Sequence, residues 1–228
     1  MFDKMKYLIA LISKKIVEKG FCRTVLFITH YVSEKCHEKL LGIDTSGEIC
    51  LGDLGFDNPS FINYAPSDYY GFNKVMKLLN IREGKEVFLD FGSGKGRTLI
   101  MAAMFPFYKV IGVEVSEQLN AIAEKNIKRV NKRLRCKNIE FVTSEASKYI
   151  IPQEVSIIYF FNPFTEDVLS TVFSNIKHSI ISVPRKIVII YKNITHLEKS
   201  IGKPKWLIKT SEVSTLFGQS YVIYKTKI

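Results

Sequence analysis

A chain of 228 residues, 46% of them hydrophobic, can bury a proper core and is too apolar for an intrinsically disordered protein. Its formal charge of +11 suits an acidic partner, but no uninterrupted lysine block marks a nucleic-acid tail, so most of that charge reads as solvated surface. Cys22, Cys36, Cys50 and Cys136 have no CxxC spacing, which argues against a zinc module or a disulfide framework; a reducing cytoplasm fits, and no metal is expected.

Lys4 and Lys6 precede the apolar run Tyr7 to Ile12, but Lys14 and Lys15 follow where a cleaved signal would carry small residues. The run is well short of the roughly 20 residues that span a bilayer. It reads as an amphipathic helix whose apolar face docks on the core or touches a membrane surface. Apolar residues from Tyr7 to Ile16 and from Cys22 to Val32 suggest two helices divided near Gly20. Turn formers fill Leu41 to Gly47, and a Gly/Asn/Pro-punctuated stretch runs to Pro66. Ser67 is expected to cap a helix carrying Tyr70, Val75, Leu78 and Leu79, which Glu83-Gly84 closes.

From Lys85 the rhythm becomes strand and helix in alternation. Strands are expected at Val87–Leu89, Val110–Val113, Ile139–Val142, Val155–Phe161 and Lys186–Tyr191, as short apolar runs buried on both faces. Leu119, Ile122, Ala123, Ile127 and Val130 give one intervening helix its apolar face, and another lies near Val168 to Ile180. Lys125, Lys128, Arg129, Lys132, Arg133 and Arg135 crowd the end of the first of these helices, where cations complement its dipole; a docking patch for RNA, anionic lipid or an acidic protein is the alternative. Two β-rich stretches, Trp206–Ile208 and Tyr221–Tyr224, end the chain. The fold class is therefore α/β and Rossmann-like: a mostly parallel twisted sheet, an antiparallel edge strand and helices on both faces. We divide the chain into residues 1–80, a helical N-terminal segment with a cofactor-covering loop, and 81–228, the core.

The chemistry gathers at strand ends. Gly92, Gly94 and Gly96 follow the first strand, where glycines let the backbone approach a nucleotide and the next helix offers free N–H groups. A dinucleotide loop needs G-x-G-x-x-G; here Arg97 stands in place of its last glycine, which disfavours NAD and FAD. Asp90 ends the strand in position to meet a cationic amino group. Glu114 ends the second strand, about twenty residues beyond the loop, where an acid accepts both ribose hydroxyls; Val115 follows it and Ser116 caps the next helix. Asn162-Pro163-Phe164 ends the fourth strand, outside the carboxyl ends where ligands bind. Asn162 supplies carbonyls to orient an attacking amine, and Phe164 a wall.

These residues resemble class I methyltransferases that use S-adenosylmethionine (SAM), over roughly Asn63 to Ile228. Asp90 to Arg97, Asp-x-Gly-Ser-Gly-x-Gly-Arg, looks like the loop of non-SET protein-lysine methyltransferases, among them the ATP synthase c-subunit lysine methyltransferase family. Asn63-Tyr64-Ala65-Pro66-Ser67 is similar to the loop that covers the cofactor in such enzymes. Gly42-Ile43-Asp44-Thr45 with Phe161 to Phe164 resembles a group of bacterial methyltransferase-like proteins. The resemblance implies SAM held by Tyr64, Asp90, Gly92, Ser93, Gly94, Gly96, Arg97, Glu114, Val115, Glu145, Ala146 and Asn162, with S-adenosylhomocysteine as product. Glu145 and the Ala146 backbone would read the adenine, although Ser144-Glu145 replaces the more usual Gly-Asp. Tyr64, Asn162, Pro163 and Phe164 would form the transfer site. Phe164 replaces the second proline of Asn-Pro-Pro-Tyr, which weakens a nucleobase reading. The acceptor expected is a protein lysine, on an acidic or membrane-associated substrate; a small molecule, RNA or non-catalytic SAM binding are the alternatives.

Overall fold

In the computed structural model of the chain, the residues described are 17, 20–56, 62–193, 197, 202, 204–215 and 220–227. The helix expected over Tyr7–Ile16 lies outside them. Seven strands form one sheet in the order β3-β2-β1-β4-β5-β7-β6. They are β1 (Val87–Phe91), β2 (Lys109–Glu114), β3 (Ile139–Thr143), β4 (Val155–Phe161), β5 (Val188–Lys192), β6 (Leu207–Ser214) and β7 (Ser220–Thr226). The first five pair in parallel, and β7 enters antiparallel between β5 and β6. All five residues of β1 are buried, so this strand needs cover on both faces and an unbroken apolar run supplies it.

The helices are α1 (Phe21–Leu41), α2 (Tyr69–Leu79), α3 (Arg97–Ala103), α4 (Glu117–Val130) and α5 (Glu166–Ser182). Phe72 of α2, Leu99 of α3 and Ile127 of α4 pack on one face of the sheet, and Leu169, Phe173 and Ile176 of α5 on the other. The chain leaves β1 toward β2 and returns to β4 on its other side, so a crevice opens at the carboxyl ends of β1 and β4.

Three local readings change. α1 is one 21-residue helix, longer than the apolar stretch Cys22–Val32, because its polar last turns are tied to the core through Glu34 and Glu38, which pair with Arg97. Asp68, one residue beyond Ser67, caps α2: its Oδ1 accepts from the Gly71 N–H at 2.5 Å. The face of α2 that packs is Tyr69, Phe72, Val75 and Met76, while Tyr70 and Leu78 point to solvent. Finally, Arg129 and Arg133, at the end of their own helix, reach another one as well. Their Nη1 atoms donate to the Gly42 and Leu40 carbonyls at 3.1 and 3.0 Å, covering the carbonyl end of α1.

Candidate active site

The cleft outside β1 and β4 encloses about 780 Å³, its open mouth included. Its floor is the glycine loop, folded back on β2 by the Gly92 and Ser93 N–H groups, which donate to the Val113 carbonyl at 2.8 and 3.2 Å. Gly92 has φ 78°, and a Cβ there would stand 2.9 Å from the Pro163 Cβ. Gly94, at φ 53°, lies directly under the Tyr64 ring, and a side chain would collide with it. Glycine is thus required at both positions by hand and by space. The Tyr64 hydroxyl donates to the Thr45 carbonyl at 2.6 Å, which fixes the ring over the loop.

Two acids face the cleft from the ends of β1 and β2. Asp90 is 2% exposed and is pushed well above the usual carboxylate range, by burial first and by the neighbouring Glu114 second; a hydrogen bond from Thr98 opposes both. Glu114 is also raised, by burial, against backbone donors. Its Oε2 accepts from the Gly94 N–H at 2.8 Å and its Oε1 from the Ser116 N–H at 3.1 Å, so this acid holds the glycine loop in place as well as facing the cleft. Among the described residues Asp90 has no ion-pair partner.

At the other end stands Asn162, in the left-handed region at φ 43°. Its Oδ1 accepts from the Tyr191 hydroxyl at 3.3 Å, which orients the amide. The Pro163 carbonyl accepts from the Ile62 N–H at 3.4 Å, tying this corner to the loop above it. Phe164 is buried, and Phe161 lies over the ammonium of Lys192, 4.0 Å from its ring centre. Lys192 is itself buried against Asp68, at 3.0 Å. Burial pulls the lysine below its ordinary range, with Asp68 working against that pull.

Tyr64, Asp90, Gly92, Ser93, Arg97, Glu114, Val115, Ala146, Asn162, Pro163 and Phe164 all border this cleft, whereas Gly94, Gly96 and Glu145 do not. Glu145 pairs with solvent-facing Lys148 at 2.8 Å, three residues along the chain. Arg97 borders the cleft, but its guanidinium is spent elsewhere. Nε donates to Thr45 Oγ1, Nη1 to Glu34 and the Ser67 carbonyl, and Nη2 to Glu38 and Ser46 Oγ, at 2.5 to 3.3 Å. All five of its donors are satisfied, so it has none for a cofactor. Ser67, at the end of the covering loop, also lines the cleft, as do Thr98 and Tyr159, which the sequence does not single out. The period of two along β4 was the available signal for Tyr159, since it shares a face with Phe161.

A glycine cradle closed by Tyr64, with an acid at the end of each adjoining parallel strand, stands here on the fold that class I SAM-dependent methyltransferases share. Residues 84–164 match the protein family described as "Putative methyltransferase". No curated protein matches the sequence. Solved structures share the fold. An RNA methyltransferase from Salinibacter ruber, in complex with S-adenosyl-L-homocysteine, is 16% identical over 71% of this chain and 92% of its own, at TM-score 0.53. The putative methyltransferase yhhF from Escherichia coli is 15% identical over 72% and 88%, at 0.55. The ribosomal protein L11 methylase from Lactobacillus delbrueckii subsp. bulgaricus is 11% identical over 69% and 77%, at 0.54.

The residues present fit SAM. Ser93 Oγ is buried without a hydrogen-bond partner, and Asp90 is an acid that lacks a cation. A ligand bearing hydroxyls and an ammonium group answers both needs.

Proposed function

We propose that the protein moves a methyl group from SAM to an amine, most simply the side chain of a protein lysine, and releases S-adenosylhomocysteine. The sulfonium supplies the electrophile; the protein binds, orients and excludes water. Asp90 takes the amino group and Glu114 the ribose hydroxyls, while Tyr64 covers the glycine loop. The observation that carries the amine reading is the corner Phe161 to Phe164: one oriented amide oxygen, on Asn162, among aromatic walls. An apolar wall disfavours a charged ammonium, so a lysine entering there loses its proton more readily, and Asn162 then aligns the lone pair. No metal is assigned a part; among the described residues no cluster of three His, Cys, Asp or Glu could hold one.

Incubating the protein and a lysate with methyl-labelled SAM tests the acceptor. Label is expected in protease-sensitive, nuclease-resistant material and to fall by roughly a hundredfold or more with Asn162→Ala, as for loss of a positioned transition-state contact. Label in RNA or in small molecules would overturn the lysine reading, and no transfer at all would leave a SAM-binding module.

We place the protein in the cytoplasm with α1 at a membrane surface. No described helix is long and apolar enough to cross a membrane. However, Phe21, Val25, Leu26, Ile28, Tyr31 and Val32 are exposed on α1, and no carboxylate occurs from Phe21 to Ser33. That pattern suits an anionic interface. Cosedimentation with phosphatidylglycerol vesicles, weakened by Phe21→Ser with Ile28→Ser, is the expected result; equal recovery with and without vesicles would refute it.

A further inference from the structure

Thr45 is fully buried, and every polar atom it has is engaged. Its N–H and hydroxyl both donate to Glu38 Oε1, at 2.7 and 2.6 Å. Its Oγ1 accepts from Arg97 Nε at 2.8 Å, and its carbonyl accepts from the Tyr64 hydroxyl at 2.6 Å. One carboxylate on α1 thus fixes the peptide from which Tyr64 hangs over Gly94. Neighbouring Ser46 repeats the arrangement: its hydroxyl donates to Glu38 Oε2, and its carbonyl accepts from Lys95 Nζ, in the glycine loop, at 2.8 Å. Glu34, one turn earlier, takes the other side of Arg97 at 2.5 Å and the Tyr69 N–H at 3.0 Å, so it also steadies the start of α2 just past Ser67.

We propose that Glu34 and Glu38 are positioning residues of the cofactor site, acting through Arg97 and Thr45 on Tyr64 and the glycine loop. A buried carboxylate needs hydrogen bonds as well as an ion pair, but for stability alone any donors would do. Here the same carboxylate oxygens also hold the two residues that touch the covering ring and the loop lysine. Both walls of the cradle around Gly94 therefore depend on α1 being docked. Cofactor affinity and the docking of α1 are linked: the factor by which docking raises affinity is also the factor by which bound cofactor favours docking.

The inference rests on the SAM reading, and a double-mutant cycle on the full chain separates the two. The probe is S-adenosylhomocysteine, with affinity measured by calorimetry and dissociation by stopped flow. Glu38→Gln and Tyr64→Phe are each expected to weaken binding about tenfold, the worth of one good hydrogen bond, mostly through faster dissociation. Because both changes cut the same path, the double variant is expected to lose about tenfold as well, not a hundredfold. Thr45→Val, which removes the bridging hydroxyl at nearly constant volume, stands in for Glu38→Gln if that variant does not fold. Losses that multiply, or a Glu38→Gln protein with lowered unfolding midpoint but wild-type affinity, overturn the inference. A wild-type protein that binds no S-adenosylhomocysteine overturns the SAM reading instead.

Discussion

Asp90→Asn is expected to make the ligand-free protein more stable at neutral pH and to cost it most of its affinity for SAM. The carboxyl is buried at the end of β1, beside Glu114, and both facts raise its pKa in the folded state. A raised carboxyl contributes stability that is fully present below its unfolded pKa and is lost as pH rises through its folded pKa. At neutral pH, where the unfolded chain ionises this acid freely, the folded wild type must either bury the charge without a cation or take up a proton in its place, and either costs stability. The isosteric amide removes that charge and still accepts from Thr98. A gain on the order of 1 kcal/mol is expected near pH 7, vanishing toward about pH 3, where the wild-type acid is protonated too. Binding moves the other way. A charge-assisted hydrogen bond to an ammonium group is worth about 1.5–3 kcal/mol, so affinity should fall by roughly ten- to a hundredfold. Thermal unfolding with and without S-adenosylhomocysteine checks both signs at once: the variant melts higher when empty and gains less from ligand. For the wild type, affinity should rise with pH as Asp90 ionises. A variant that is less stable when empty would show that Asp90 has a partner the ligand does not supply.

That opposition explains why so much of this site could be read from the sequence. Strand ends in a parallel sheet are forced into one crevice, so an acid directly after a buried apolar run has nowhere else to go. Asp90, Glu114 and Asn162 each end such a run, and the structure places all three on the cleft. Glycines with positive φ announce themselves by residue type for the same reason. What could not be read are the choices made by long-range partners. Arg97 follows the loop as a ligand would, but its acids lie 63 and 59 residues upstream. In the sequence Glu34 and Glu38 look like an ordinary exposed pair one turn apart. The cap of α2 falls on Asp68 because Tyr221, 153 residues away, donates to its other oxygen at 2.8 Å, and Lys192 pairs with it there. Glu145, by contrast, has its ion pair close by in the chain, with Lys148 three residues on.

The largest loss of stability is expected from Arg97→Ala. The guanidinium and the two carboxylates on it are nearly out of water, with side chains 4, 16 and 9% exposed for Arg97, Glu34 and Glu38. Assembling such a cluster gains little, because desolvation offsets the attraction, but removing its centre strands two buried charges. The cost is about 3–5 kcal/mol, read from urea midpoints at constant slope. Arg97→Lys should lose less, since the charge remains, yet not be neutral, because three donors on a point charge cannot serve Thr45, Glu34, Ser67, Glu38 and Ser46 together. The pH dependence identifies the cause. For Glu38, burial is the largest influence and acts upward, but hydrogen bonds from Ser46 and Thr45 and the charge of Arg97 outweigh it and hold the carboxyl low. Its contribution to wild-type stability is therefore present above the unfolded pKa and is lost as pH falls through the folded one. In Arg97→Ala the stranded acids are relieved by protonation, so the gap between variant and wild type should narrow between neutral pH and about pH 4. Adding Glu38→Gln to Arg97→Ala should recover part of the loss at neutral pH, because an amide needs no cation. A gap that stays constant with pH would assign the loss to cavity formation under Tyr69, whose ring the guanidinium covers at 4.8 Å, and not to the acids.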